Sequence, residues 1–437
     1  MPADRGGGTG LQRSLGLASL TFYGIGLIIG AGIYSVIGAV AGKAGNGLWL
    51  SFVVAAVAAF LTALSYAELA TMFPKAGAEY VYLQHAAPRG RWIPFLMGVV
   101  LTVAATATAT SVALAFGGYL GIFIPVPPIA GALLLLVVAT GVSLIGIRES
   151  SWINTTFTLV EMGGLVMIIV LGMPSARAAS LAEIPAFGAT LGAASLVFFV
   201  YLGFEGIANL AEEARRPERD LPRAILLSLA VTTVLYVAVS VAAVSLVSPA
   251  RLAASTSPMA DAVSVVSGRA GNAIGVIALF ATGNTALITL IAASRKLFSM
   301  AAGGDMPPFL GRTFGRRGTP SWASFAVLGG AVLLLPLCSV AEAASLSSLA
   351  SLVAFLAVNL ALIVLRYQDA DRPRPFRVPL AIGRLPILPV AGMGIAGLLA
   401  LQFDGRVYLA GILVLVLGWA VYGLRLRFGP PPGGTVG

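Results

Sequence analysis

Glu161 and Glu205 each lie inside a long apolar run. An ionisable group at membrane depth handles a proton, an ion or a substrate, or else is kept neutral or paired. Around the second acid the chain reads Phe198-Phe199-Val200-Tyr201-Leu202-Gly203-Phe204-Glu205-Gly206-Ile207-Ala208-Asn209, with a glycine on either side. A second stretch, Tyr23-Gly24-Ile25-Gly26-Leu27-Ile28-Ile29-Gly30-Ala31-Gly32-Ile33-Tyr34, packs four glycines into nine residues. Glycine holds a helix poorly, and a helix broken at mid-depth frees backbone groups that lipid cannot satisfy. N–H groups near Gly30, Ala31 and Gly32, with the positive end of the half-helix that follows, suit a substrate carboxylate. Unwound carbonyls around Phe204, Glu205 and Ile207 suit an ammonium. A plainer reading stays open for the first stretch, because Gly26 and Gly30 have the GxxxG spacing that lets two continuous helices pack closely.

The elements that must position these groups follow from composition. Of 437 residues, 58% are hydrophobic and only 10% charged, against roughly 25% charged in soluble domains. The apolar residues come in blocks of about twenty, the length that crosses a hydrocarbon core. Spans are expected at 15–40, 47–70, 92–120, 128–147, 152–173, 190–212, 224–247, 271–302, 322–340, 344–366, 386–402 and 406–424. The runs do not alternate polar with apolar, which argues against a β-barrel. Met1 to Arg13 is polar and glycine-rich, and the first apolar run is too long for a cleavable signal.

The two glycine-interrupted runs open residues 15–173 and 190–366, which hold five spans each. An odd number per half sets the halves in opposite orientation, the pattern of an inverted repeat with paired discontinuous helices. The fold class expected is an all-α polytopic membrane protein with twelve transmembrane helices. Ten form the inverted repeat, residues 386–424 add two peripheral helices, and 1–14 and 425–437 are tails.

With the N-terminus cytoplasmic, every one of the 27 Lys and Arg residues except Lys43, Arg177, Arg251, Arg269 and Arg406 falls on the cytoplasmic side. This fits the positive-inside rule and puts both termini in the cytoplasm of a cell (plasma or inner) membrane protein. The net charge of +10 is therefore not a nucleic-acid footprint. Arg215, Arg216, Arg219 and Arg223, then Arg312 to Arg317, then Arg372 to Arg384 belong to separate inner loops beside anionic headgroups. One cysteine, Cys338, and one histidine, His85, cannot build a disulfide framework, a haem site or a zinc cluster, and no cofactor is expected. Cys338 is expected to be a small packing residue and His85 a solvated loop residue.

Beyond Gly30-Ala31-Gly32, the chain carries Tyr66-Ala67-Glu68-Leu69 and Phe73-Pro74-Lys75-Ala76-Gly77-Ala78-Glu79-Tyr80-Val81-Tyr82. Further on come Glu212, Glu213, Pro217 and Leu221-Pro222-Arg223-Ala224-Ile225. Ala293-Ser294-Arg295-Lys296-Leu297, Thr319-Pro320 and Arg374-Pro375-Phe376-Arg377-Val378-Pro379 follow. In order and spacing these segments resemble the amino acid–polyamine–organocation transporters with their LeuT-type fold, over almost the whole chain. The resemblance implies secondary transport by alternating access, with spans one, two, six and seven moving against spans three, four, eight and nine. Proton-coupled relatives often carry a lysine in span five. The register set by Gly146 to Ser150 and Asn154 puts Glu161 there, reversing the charge and setting lysine-type coupling aside.

Three roles are open to Glu161: loading and releasing a proton, helping to bind a cation, or stabilising helix packing as a neutral or paired carboxyl. Glu205 fits the family's glycine-phenylalanine-acid pattern, and capping N–H groups freed at the break is its expected role. The substrate site expected comprises Ile28, Gly30, Ala31, Gly32, Phe204, Glu205, Ile207 and Asn284, with Glu161, Thr285 and Thr289 for proton or ion coupling. Of Phe199, Tyr201 and Phe204, the last is the expected pocket residue. Thr102, Thr106, Thr108 and Thr110 are expected to form a packing seam, Glu342 to lie near the outer surface, and Glu68 to be a solvated helix end. The function expected is uptake of a small amino acid, coupled to protons, with amino acid or polyamine exchange as the alternative. A membrane-embedded enzyme lacks converging nucleophiles and bases, and a channel lacks a filter sequence. Oligomeric state cannot be read.

Overall fold

The computed structural model describes residues 13–75, 77–88, 90, 92–145, 151–176, 183, 185–313 and 319–428. Most of the N-terminal tail, the end of the C-terminal tail, Ala76, Gly146 to Ser150, Arg177, Arg316 and Arg317 lie outside the described residues.

Apolar runs of this length bury their own backbone hydrogen bonds only as helices, and helices are what they form. They are α1 (Leu17–Ile29), α2 (Gly32–Ala44), α3 (Leu48–Met72), α4 (Ala78–Ala86), α5 (Trp92–Leu120), α6 (Pro128–Ile145) and α7 (Ser151–Gly172). Then follow α8 (Phe187–Tyr201), α9 (Phe204–Ala208), α10 (Pro217–Leu246), α11 (Pro249–Ala254), α12 (Pro258–Ser264) and α13 (Gly268–Ala302). The last are α14 (Ser321–Leu334), α15 (Val340–Gln368), α16 (Ile387–Ala400) and α17 (Gly405–Phe428). Among the described residues, nine helical stretches are long and apolar enough to cross a membrane, and α1, α14 and α16 are shorter apolar helices. The protein is an all-α polytopic membrane protein; among the described residues its β structure is the two-residue pairing of Ala381–Ile382 with Leu385–Pro386 and an isolated bridge between Leu15 and Ala214.

Both expected interruptions are present. The first apolar run stops at Ile29, Gly30 takes φ 18° and ψ −158°, and a new helix starts at Gly32. The second stops at Tyr201, Leu202 is extended, and Gly203 takes φ 123°, open only to a residue without Cβ. A Cβ on Gly203 would lie 2.5 Å from the carbonyl oxygen of Leu27, so this glycine also allows the two breaks to touch. The GxxxG reading of two continuous helices is not what forms: the helix ends at Ile29, and the two glycines meet different neighbours, Gly26 facing Thr158 of α7 and Gly30 facing Thr285 of α13.

Short polar pins fix the surrounding frame. Ser65 of α3 donates to Asn359 of α15 (2.6 Å), whose amide donates to Thr62 (3.1 Å). Thr108 of α5 meets Ser347 of α15 at 2.7 Å, while Thr102, Thr106 and Thr110 donate to the carbonyls four residues back, the usual way a membrane helix satisfies a hydroxyl. Glu342 and Ser339 form a capping box at the start of α15.

Two expectations are corrected. Glu68 is no solvated helix end: it is fully buried and takes two hydrogen bonds from the guanidinium of Arg366, 298 residues away. Cys338 is partly exposed in the turn before α15 rather than packed within a helix. His85 is exposed, its ring 4.3 Å from that of Phe73.

Candidate substrate cavity

The two breaks and α13 enclose a cavity of about 270 Å³. Gly26 to Ile28 and Gly30 to Gly32 line one wall, Phe199, Val200, Leu202, Gly203, Glu205 and Gly206 another, and Asn284, Thr285, Ile288 and Thr289 a third. Leu101, Ala104 and Thr108 of α5 and Ser347 and Ser351 of α15 complete it. Toward one end of the molecule the lining extends to Glu79, Asn209 and Lys296. At the other end α11 is pressed against α2, where a Cβ on Gly38 would lie 2.5 Å from the carbonyl oxygen of Leu252. A separate cavity beyond that contact is lined by Ser35, Gly38 and Cys338.

The first break offers donors. Its Ala31 N–H is taken by the hydroxyl of Thr285 at 2.9 Å. The N–H groups of Gly30, Gly32 and Ile33 have no partner among the described residues, and all three stand at the N-terminal, positive end of α2. The carbonyls released on the other side of this break go to one residue: the Tyr236 hydroxyl of α10 is 2.6 Å from Ile28 O and 3.2 Å from Ile29 O. The same hydroxyl lies 3.3 Å from Val200 O, so it bridges both interrupted helices.

The second break offers an acceptor and an acid. Leu202 lines the cavity, and no described group donates to its carbonyl. Glu205 turns back to accept from the Gly203 N–H at 2.9 Å, the capping role read from the sequence, and its side chain also lines the cavity.

Two expected site residues are placed elsewhere. Phe204 is fully buried and points into an aromatic cluster, its ring 5.6 Å from Tyr66 and 5.2 Å from Phe355. Phe199 takes the cavity wall instead. The Ile207 carbonyl accepts from Leu210 N at 3.1 Å, and its side chain packs against Gly24. The reason is that α9 is a five-residue helix continued by turns, so the Gly206, Ile207 and Ala208 carbonyls already accept from Asn209, Leu210 and Ala211, whereas no described group donates to the Leu202 carbonyl. Thr285 caps Ala31, and Thr289 donates to Thr285 O at 2.6 Å.

Glu161 is 1% exposed, and neither carboxylate oxygen has a hydrogen-bond partner among the described residues. The Asn284 side chain lies beside it and also lines the cavity. The Glu161 carbonyl accepts from the Tyr34 hydroxyl at 3.2 Å, tying α7 to α2 beside the break. Asn209 went unread in the sequence. Its side-chain oxygen accepts from the backbone N–H groups of Gly77 and Ala78 (3.0 and 3.1 Å), so it pins the start of α4 beside the cavity.

Comparison with known proteins matches residues 15–419 to the amino acid permease family. The branched-chain amino acid permease BcaP of Bacillus subtilis is 32% identical, across 97% of this chain and 95% of its own. The methylthioribose transporter of the same organism is 29% identical across 95% and 94%. The vacuolar cationic amino acid transporter 4 of Arabidopsis thaliana is 33% identical across 83% and 64%. Two interrupted helices facing each other across a small cavity, in a chain matched from residue 15 to residue 419, make this protein a transporter rather than an enzyme: it belongs to the amino acid permease family of the amino acid–polyamine–organocation superfamily.

Proposed function

We propose that the protein takes up a small neutral amino acid through this cavity, coupled to protons, in the cell membrane with both termini cytoplasmic. The carrying observation is the cavity's lining. The N–H groups of Gly30 and Gly32, both residues of the cavity wall and without a partner among the described residues, serve as donors to the substrate carboxylate, and the Leu202 carbonyl serves as the acceptor for its ammonium. Between them Ile28, Leu101, Ala104, Val200 and Ile288 leave an apolar compartment for the side chain. The volume lies below the roughly 300–1,000 Å³ of pockets for drug-sized ligands, which suits a small amino acid. The relative named for branched-chain amino acids supports an apolar side chain.

Glu161 carries the coupling. Its carboxylate is buried with no hydrogen-bond partner among the described residues, and Asn284, which lines the cavity, links it to the substrate. The two interrupted helices, read as one in each half of a five-plus-five inverted repeat, support alternating access. A cationic substrate is the second reading, favoured by the Glu205 carboxylate in the cavity wall.

The test is uptake of labelled amino acids into liposomes under separately imposed proton and sodium gradients. Leucine, isoleucine, valine or alanine is expected to accumulate under a proton gradient. Glu161→Gln should abolish that accumulation while counterflow continues. Accumulation driven by sodium alone, or unchanged in Glu161→Gln, removes the coupling proposal, and accumulation of lysine or arginine alone selects the cationic reading.

A further inference from the structure

A second cavity, of about 320 Å³, lies at the C-terminal end of α15 and shares no lining residue with the substrate cavity. Five guanidinium groups face it, those of Arg366, Arg372, Arg374, Arg377 and Arg384, and Asp371 is the acid among its lining residues. The partners of these cations are few. Arg366 holds Glu68 through Nε at 3.0 Å and through Nη2, and Arg374 Nε reaches the same carboxylate at 3.3 Å. Arg372 is paired with Asp369 at 3.2 Å. Arg377 and Arg384 have no ion-pair partner among the described residues. With Glu68 and Asp369 counted beside Asp371, the site keeps a surplus of two positive charges.

A charge surplus alone marks a solvated basic face. A further feature sets this one apart: Arg366 is 3% exposed, and its Nη1 is buried with no hydrogen-bond partner. An arginine cannot shed the demand by losing its proton, and it presents its donors in a fixed fork. The acids already present cannot meet that demand: the Glu68 oxygens take Arg366, Arg374 and the Val378 N–H. A multi-oxygen anion seated among the five guanidiniums would satisfy Nη1 and neutralise the surplus together.

We propose that this cavity is a binding site for a phosphate-bearing anion. Its position favours the membrane surface, since Arg384 precedes the first residue of the apolar helix α16, Ile387, by three positions and so stands where the chain re-enters the bilayer. The shared chemistry admits two sources, the phosphodiester of an anionic lipid headgroup or free phosphate. That the lipid would be one of the inner leaflet rests on the orientation proposed above. The binding itself does not.

The test uses the full-length protein in nanodiscs of phosphatidylcholine, with thermal unfolding followed as sodium phosphate is added against chloride of equal ionic strength. In a parallel arm without phosphate, phosphatidylglycerol replaces part of the phosphatidylcholine. Ligand bound to the folded state alone raises the unfolding temperature in a concentration-dependent way. Stabilisation in the phosphate arm identifies a free anion, and stabilisation in the lipid arm alone identifies the headgroup. In either case the Arg377→Gln/Arg384→Gln double variant, which breaks no ion pair, should weaken the apparent affinity at least about tenfold, the effect of losing charge-assisted donors. Arg223→Gln, an exposed arginine outside the cavity, should respond as the wild type does. No stabilisation in either arm overturns the proposal. So does a double variant that responds like the wild type, or an equal loss in Arg223→Gln. No amino acid enters the assay, so its failure would leave the transport proposal standing.

Discussion

The two helix breaks look alike in sequence, glycine on both sides of one or two residues, yet the structure makes them chemically opposite. The break at Gly30 exposes N–H groups at the start of a thirteen-residue helix, and only one of them is capped by protein. The break at Gly203 leads into a five-residue helix whose N-terminal N–H is closed by its own acid, so what it presents is a carbonyl at Leu202. The difference lies in the side chains around the glycines. Gly30-Ala31-Gly32 contains nothing that can fold back on its own backbone, whereas Gly203-Phe204-Glu205 carries a carboxylate two residues past the freed N–H. A pair of breaks becomes a site for a zwitterion when one is left bare and the other is capped from within.

The largest blow to this pairing should come from Gly203→Ala. The backbone there has φ 123°, and the new Cβ would be driven against the Leu27 carbonyl at 2.5 Å. Left-handed strain costs about 1–3 kcal/mol, and a clash with backbone that cannot swing aside adds about as much. Thermal unfolding in detergent should show a drop of several degrees or no folded protein. A stable variant with normal uptake would mean that the two breaks can move apart freely.

Gly32→Ala should come next, and it separates the two glycines of the first break. Its Cβ would sit 3.0 Å from the Val200 Cα, a backbone contact, whereas the Cβ of Gly30→Ala would meet the hydroxyl of Thr285, a side chain that can turn. Equilibrium binding of the transported amino acid should weaken about tenfold in Gly32→Ala, a loss of about 1.4 kcal/mol, and less in Gly30→Ala. Equal affinities in both variants would argue that the carboxylate is held elsewhere.

How much of this was legible in the sequence depended on whether the signal was local. Helix interruption at Gly30 and Gly203 is a property of neighbouring residues, as is the capping acid two positions on, and both were read from spacing. The pairings that give the breaks their character are distant. Tyr236 serves carbonyls 208 and 36 residues away, Thr285 caps an N–H 254 residues away, and Arg366 reaches Glu68 across 298 residues. A tyrosine in an apolar run, or a glutamate at a helix end, has the same local context whether it meets such a partner or faces lipid and water. Phe204 went astray for a related reason: adjacency to a break says nothing about which side of a five-residue helix turns inward.

Tyr236→Phe tests the shared support and should have a moderate effect. Removing the hydroxyl leaves the carbonyl of Ile28 without its 2.6 Å donor in a buried place, and an unmet buried acceptor costs about 1–3 kcal/mol. Because the same group stands 3.3 Å from Val200 O, both breaks should loosen together. Hydrogen exchange should then rise at Ser35, whose N–H is held by the Ala31 carbonyl, and at the bonded N–H groups of Gly203 and Gly206 alike. Faster exchange at the first break alone would show that Tyr236 belongs to that break and does not couple the pair.

The smallest effect should come from Glu205→Gln, and it decides whether the second break is capped from within or kept for a cation. The amide oxygen of glutamine accepts from the Gly203 N–H as the carboxylate does at 2.9 Å, so a residue whose work is capping should tolerate the exchange with less than about 1 kcal/mol lost. Uptake of a neutral amino acid should continue at near wild-type affinity. If the carboxylate instead holds a substrate cation, removing its charge strips a charge-assisted bond worth about 1.5–3 kcal/mol, and affinity should fall about tenfold or more with the charge of the substrate. A large loss confined to lysine or arginine would assign Glu205 to recognition and leave the asymmetry between the breaks to be carried by Leu202 alone.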